Sequence, residues 1–183
     1  MGTQRIDGPT SEPVSLGEVK AYLRIEQDAE DALLAGMIRS ARSLCEAFTG
    51  VVLVNTRFIQ TEHSAPVATI RLARQPLRVL SGVSVRTQAG VLQPLVGGSY
   101  TLTLENDGAA SLRVTAPVGS GESIEIDYWA GMAADWNGVP EDLRQGILRL
   151  VSHLYTHRDH PDDSGPPVAV AALWRPYRRM RLA

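Results

Sequence analysis

The sequence predicts an α+β fold: an N-terminal helical pair, a small antiparallel β-meander, then a long helix and a short C-terminal helix and tail, the helices packed as a bundle. Three observations predict it. Apolar residues recur at three- and four-residue spacing before Gly50 and again after Pro140. Between these stretches lie short β-branched and apolar segments. Turn residues at Pro66, Gln75–Pro76, Ala89–Gly90, Gly97–Gly98, Asn106–Gly108 and Gly119–Gly121 separate those segments.

Residues 1–13 hold Gly2, Gly8, Pro9 and Pro13 among few apolar groups, and the expectation is a flexible arm. Ser15 followed by Glu18 has the spacing of a capping box and opens a helix over 15–25. Asp28, backed by Glu30 and Asp31, is the expected N-cap of a second helix over 28–49. Its apolar face is Leu33, Leu34, Met37, Ile38, Ala41, Leu44, Cys45 and Phe48, and Gly50 stands where a helix stops. A β insertion is expected over 51–128, with the Asn106–Gly108 turn joining two of its strands. Pro140, Glu141 and Asp142 suit the start of a third helix over 140–157. Val168–Trp174 reads as a short helix, and 175–183 as a basic tail. One domain over 14–174 would carry all but the arm and the tail.

Composition excludes several function classes. The formal net charge of −2 gives no global attraction to nucleic acid. Cys45 is the only cysteine, so no internal disulfide forms, and its apolar helical setting predicts a buried, inert thiol. No apolar run reaches the roughly 18 residues of a membrane span. The first residues lack the basic–apolar–small pattern of an export signal, so the chain is expected to stay in the cytoplasm where it is made.

The search for catalytic or cofactor chemistry returns nothing specific. Phosphate-cradling, dinucleotide-binding and nucleophile-elbow glycine patterns are absent. His153, His157, Asp159, His160, Asp162 and Asp163 gather metal-binding residue types, and the two histidines four apart share a helix face. The residues between them, Leu154, Tyr155 and Thr156, include no glutamate to act as base. A structural role is therefore expected, with no catalytic residue, no metal and no cofactor.

Two charge features point to docking instead. Asp28, Glu30 and Asp31 gather at the second helix start, while Arg39, Arg42, Arg144 and Arg149 fall on polar helix faces. Trp174, Arg175, Tyr177, Arg178, Arg179 and Arg181 have the composition of a peptide that binds a partner's groove.

Several segments together resemble the head–tail connector, or adaptor, family of long-tailed phages and of the phage-derived particles called gene transfer agents. They are VSLGEVKAYLRIEQDAEDALLAGMIRSARSLCEAFTG (Val14–Gly50), VLVNTRFIQ (Val52–Gln60), LARQPLRVLSGVSV (Leu72–Val85), IEIDYWAGMAADWNGVPEDLRQGILRLVSHLYTHRD (Ile124–Asp159) and ALWRPYRRMRL (Ala172–Leu182). The resemblance implies a non-enzymatic subunit that docks beneath a portal, forms a twelve-fold ring, extends the DNA channel and receives a stopper or tail-side protein. DNA would pass without sequence-specific binding, and no membrane is involved. The chain would work in the particle neck after assembly in the host cytoplasm, with the 174–181 segment facing the portal. In the implied ring, Asp28, Glu30 and Asp31 of one copy would meet Arg39, Arg42, Arg144 and Arg149 of the next. A stopper or tail-completion protein is the nearest alternative, and a DNA-binding regulator the next.

Overall fold

The structure is a computed structural model that describes residues 2–63, 68–106, 108–157 and 165–179. The chain divides into two compact units, Met1–Pro9 with Asn55–Met132 and Thr10–Val54 with Ala133–Ala183.

The first unit is all β. Its strands are β1 (Gly2–Arg5), β2 (Thr56–His63), β3 (Ala68–Arg71), β4 (Leu77–Arg86), β5 (Leu92–Pro94), β6 (Tyr100–Leu104), β7 (Ala110–Val114) and β8 (Ser123–Ala130). Every pairing is antiparallel, as the sequence predicts, but the strands do not follow a serial meander. One sheet runs β1-β2-β8-β4-β5 and another β3-β7-β6. The pleat explains the sorting along β8, where Ile124, Ile126, Tyr128 and Ala130 are buried while Glu125 and Asp127 stand on the other face. Both acids meet arginines of neighbouring strands: Asp127 accepts from Arg57 of β2 at 2.6 Å, and Glu125 from Arg86 of β4 at 2.6 Å. The Asn106–Gly108 turn joins β6 to β7 as expected, with Leu104 opposite Ala110 and Gly108 at φ +79°.

Gln60, fully buried, ties the loop after β3 to this sheet. Its side-chain oxygen accepts from Ala73 N at 2.9 Å and from the Tyr128 hydroxyl at 3.2 Å, while its amide donates to Arg71 O at 3.1 Å. Burial pushes the Tyr128 hydroxyl up to about 12, against a smaller downward pull from the Arg74 backbone N–H that donates to it. The arm expected over 1–13 is corrected here: Gly2–Arg5 pairs with β2, from Gly2 opposite Thr61 to Arg5 opposite Phe58. The open edge of β2 supplies the hydrogen bonds, which a sequence with few apolar groups does not announce.

The second unit holds α1 (Leu16–Leu23), α2 (Asp31–Thr49), α3 (Glu141–Thr156) and α4 (Val168–Trp174). The Ser15–Glu18 capping box forms in full, and Arg24 closes α1 at φ 59°. Asp28 does not cap α2; Glu30 holds that position, because the Asp28 carboxylate turns to Lys20. Gly50 ends α2 at φ 73°, where its lack of a Cβ removes the left-handed penalty. α3 packs on α1, α2 and α4. The core between them is Val19, Leu34, Ile38, Ala41, Cys45, Leu143, Ile147, Leu150, Val151, Val170 and Trp174, all buried. Burial, and secondarily the Glu46 charge, raise the Cys45 thiol far above its ordinary range, so it stays a thiol.

Candidate docking surfaces

The end of α4 and the segment after it lie along the C-terminal turn of α2. Trp174 fills the space over Gly146 of α3, and its indole N–H donates to Leu143 O at 3.3 Å. Phe48 of α2 meets the same indole, ring centroids 5.9 Å apart. Beyond Trp174 a 3-10 turn (Arg175–Tyr177) leads to Arg178, whose guanidinium sits 5.5 Å from the Phe48 centroid. Arg179 N then donates to Thr49 O at 2.9 Å, satisfying a carbonyl the helix end leaves open. Two arginines so placed complement the negative end of the α2 dipole. Burial, then the nearby Asp142 carboxylate, raise the Tyr177 hydroxyl.

Of the expected portal-facing residues, then, Trp174 belongs to this unit's own core and has no exposed surface. Arg175 and Arg178 are exposed, and Tyr177 and Arg179 half-buried. Arg181 lies outside the described residues.

Most residues expected to pair between copies pair within this unit. Asp28 and Asp31 both accept from the Lys20 ammonium, at 2.5 and 2.8 Å, bonds that raise the Lys20 pKa; Lys20 in turn lowers that of Asp28. Glu30 accepts from the Tyr155 hydroxyl at 2.5 Å. Arg42 is buried, with Nε on Glu12 at 2.8 Å and Nη1 3.5 Å from Glu46. Arg144 holds Glu18, Glu141 at 3.1 Å and the Pro13 carbonyl at 3.1 Å, with its guanidinium 4.8 Å from the Trp136 centroid. Arg39 and Arg149 are exposed and, among the described residues, meet no acid.

The histidine pair stacks, His153 on His157, with ring centroids 4.4 Å apart. Among the described residues no group of three or more His, Cys, Asp or Glu side chains could hold a metal ion, and Asp159, His160, Asp162 and Asp163 lie outside them. No described helix is long and apolar enough to cross a membrane.

Two surfaces went unread in the sequence. The outward side of α2 carries Leu33 (41% exposed), Ser40, Ser43, Leu44 (39% exposed) and Ala47, with Arg39 as its only exposed charge after the first turn. Apart from the buried indole N–H of Trp174, α4 has no polar side-chain group, yet Val168 (84% exposed), Ala169 and Ala172 face outward. The available signal was the shortage of charged residues between Asp31 and Glu46, where only Arg39 and Arg42 occur.

The sequence pattern of the phage gp6-like head-tail connector protein family matches residues 13–91. A search of curated proteins returns no match. Among solved structures, a chain in the neck of an empty gene transfer agent particle, computed with C6 symmetry, matches at TM-score 0.83 and 23% identity. That match covers 100% of this chain and 98% of the other. Chains in the virion of a native gene transfer agent particle and in the neck of a native particle computed with C12 symmetry match at TM-scores of 0.80 and 0.78, each at 23% identity with the same coverage. The resemblance carried by the sequence segments is the one these comparisons return: over residues 13–91 the chain matches the phage gp6-like head-tail connectors, and over its whole length it has the fold of chains in gene transfer agent particles.

Proposed function

We propose that this chain is a structural head–tail adaptor of a tailed phage or gene transfer agent. It works at the head–tail joint as one copy in a ring. The ring sits beneath the portal, extends the DNA channel and receives a stopper or tail-side protein. The carrying observation is the whole-chain fold match at TM-score 0.83 together with the connector pattern over residues 13–91. Neck matches computed with C6 and C12 symmetry support the ring, and a twelve-copy ring would match a twelve-fold portal. The role is mechanical and needs neither a catalytic group nor a cofactor.

The portal-facing element is the exposed basic end, Arg175 and Arg178 with Tyr177 and Arg179 beside them; Arg181, expected to share the role, lies outside the described residues. Trp174 supports it from within by anchoring α4. Arg39 and Arg149 are free to meet a neighbouring copy, whereas Asp28, Glu30, Asp31, Arg42 and Arg144 contribute to it only by shaping the surface. Near-neutral net charge suits a channel that must let DNA slide.

Co-sedimentation of the purified chain with portal rings from the same gene cluster tests this reading. Saturable binding near one copy per portal subunit is expected. Absence of binding to well-formed portal rings, with binding to tail-side proteins instead, would move the chain to the stopper.

A further inference from the structure

The sheet β3-β7-β6 ends on a bare strand, β6. Glu105 N donates to Ala109 O at 2.8 Å and Thr115 N to Ser99 O at 2.9 Å. The odd-numbered residues of β6 therefore turn their main-chain groups to β7, and the even-numbered ones turn theirs away. Among the described residues nothing meets the outward N–H and C=O groups of Tyr100, Leu102 and Leu104. The opposite edge is closed where β3 ends, because Gln60 spans Arg71 O and Ala73 N. β6 carries none of the charges, prolines or bulges that blunt an edge.

The side chains of the same three residues are the unfinished side of an apolar face. In one row Ile70 and Leu112 are buried and Leu102 half-buried; in the next Ala110 is buried and Leu104 is 62% exposed. A further strand beside β6 would complete both the ladder and the face.

The sequence of β6, Tyr-Thr-Leu-Thr-Leu, reads nearly the same in both directions. Laid antiparallel on a second copy about Leu102, it sets Leu102 on Leu102, Tyr100 on Leu104 and Thr101 on Thr103. The even-numbered pairs would each exchange both of their hydrogen bonds. Aromatic would meet aliphatic on one face and threonine meet threonine on the other, both favourable cross-strand pairs. Charge agrees with this register. Glu105 would lie two strands and one row from Arg113 of the second copy, about 12 Å between Cα atoms. Glu105 reaches Arg71 of its own chain, at 3.8 Å, across the same number of strands and rows. Arg113 is exposed and, among the described residues, meets no acid.

We propose that β6 is a self-recognition edge: two free chains join β6 to β6, antiparallel about Leu102, into one continuous sheet. A ring closes head-to-tail, so this two-fold contact belongs to chains outside the ring and does not depend on the ring reading. One short strand makes a narrow contact, and the dimer is a transient one.

Sedimentation of the unaltered chain over rising concentration should show a monomer–dimer equilibrium, and a monomer throughout would overturn the proposal. Leu104→Pro removes an outward N–H without taking a hydrogen bond from β7. It should keep the folded circular dichroism spectrum and weaken dimerisation at least about tenfold, since each copy loses a bond to the other. A folded variant that dimerises as strongly as the unaltered chain would overturn the β6 contact. Cysteines at the exposed Thr101 and Thr103 read the register, with buried Cys45 silent. In the proposed pairing these two positions face each other about 4.5 Å apart at Cα, within reach of a disulfide. A mixture of T101C and T103C chains should therefore crosslink under mild oxidation. T101C alone should not, because its like positions stand about 8 Å apart. Crosslinking by T101C alone, or none in the mixture, would overturn the pairing about Leu102.

Discussion

Gly146 and Trp174 occupy one volume: the indole of Trp174 lies where any side chain at position 146 would have to be. Alanine is the better helix former, worth up to about 1 kcal/mol over glycine in a helix interior. Here it should do the opposite. Overpacking a filled core costs about 1–3 kcal/mol, so Gly146→Ala should lower stability despite the gain in propensity. Gly36→Ala, whose Cβ would meet only the flexible end of the Arg39 side chain at 3.8 Å, should raise it by about 0.5–1 kcal/mol. Urea denaturation of both variants checks the pair; equal shifts in the two midpoints would contradict the packing account.

The same relationship governs how the C-terminal segment can be tested. Trp174 is fully buried against Phe48 and Gly146, so Trp174→Ala should cost about 3–5 kcal/mol, and truncation from residue 174 should unfold the helical unit. Loss of portal binding in such a truncation would say nothing of docking. Arg175→Glu with Arg178→Glu reverses two exposed charges and leaves Trp174 in place. The double variant should keep its circular dichroism and melting transition while losing portal co-sedimentation, and retained binding would remove the basic end from the portal interface.

What the sequence made legible is what depends on local rules. The Ser15–Glu18 capping box, the Gly50 stop, the Asn106–Gly108 turn and the three- and four-residue spacing of Leu34, Ile38, Ala41 and Cys45 act over a turn or two of chain. All four stand in the structure where those rules put them. Long-range partners set the remainder. β8 entered between β2 and β4 because its alternating buried face serves both, which no count of strands in order foretells. The charges read as surface complements found partners up to 131 residues away, as Arg144 found the Pro13 carbonyl and Glu18. Trp174 looked like an exposed anchor because a tryptophan among arginines resembles a docking peptide; the space left by Gly146, 28 residues earlier in the numbering, drew it inside.

Arg42 offers a stability test of a different kind. It is buried between Glu12 and Glu46, and Glu46 also accepts from Leu53 N at 3.2 Å. Removing one partner of a buried pair strands the other charge, so Arg42→Ala should cost about 3–5 kcal/mol. Replacing both helix partners, Arg42→Met with Glu46→Gln, should restore part of that loss, because the remaining amide can still accept from Leu53. Thermal melts of the two variants decide it. A double variant no more stable than Arg42→Ala would mean the pair's geometry, not its isolated charge, carries the energy.

Glu18 supplies the pH dependence. Partial burial raises its pKa, but the hydrogen bonds from Ser15 and the Arg144 guanidinium outweigh burial and leave the carboxyl below its ordinary value. A carboxyl depressed in the folded state binds a proton more readily when unfolded. Its contribution is therefore fully present above the unfolded value near 4.3, and is lost as pH falls through the lower folded value. Glu18→Gln should remove that contribution at neutral pH and flatten the loss of stability below about pH 4.5. Ser15→Ala, which breaks the capping box from the other side, should cost about 1 kcal/mol at neutral pH and shrink the same acid-dependent loss. Urea midpoints for the unaltered chain and both variants across pH 3 to 7 would read this directly. Parallel curves for all three would show that the acid transition belongs to other carboxylates, with Asp28 beside Lys20, also depressed by its partner, the first to examine.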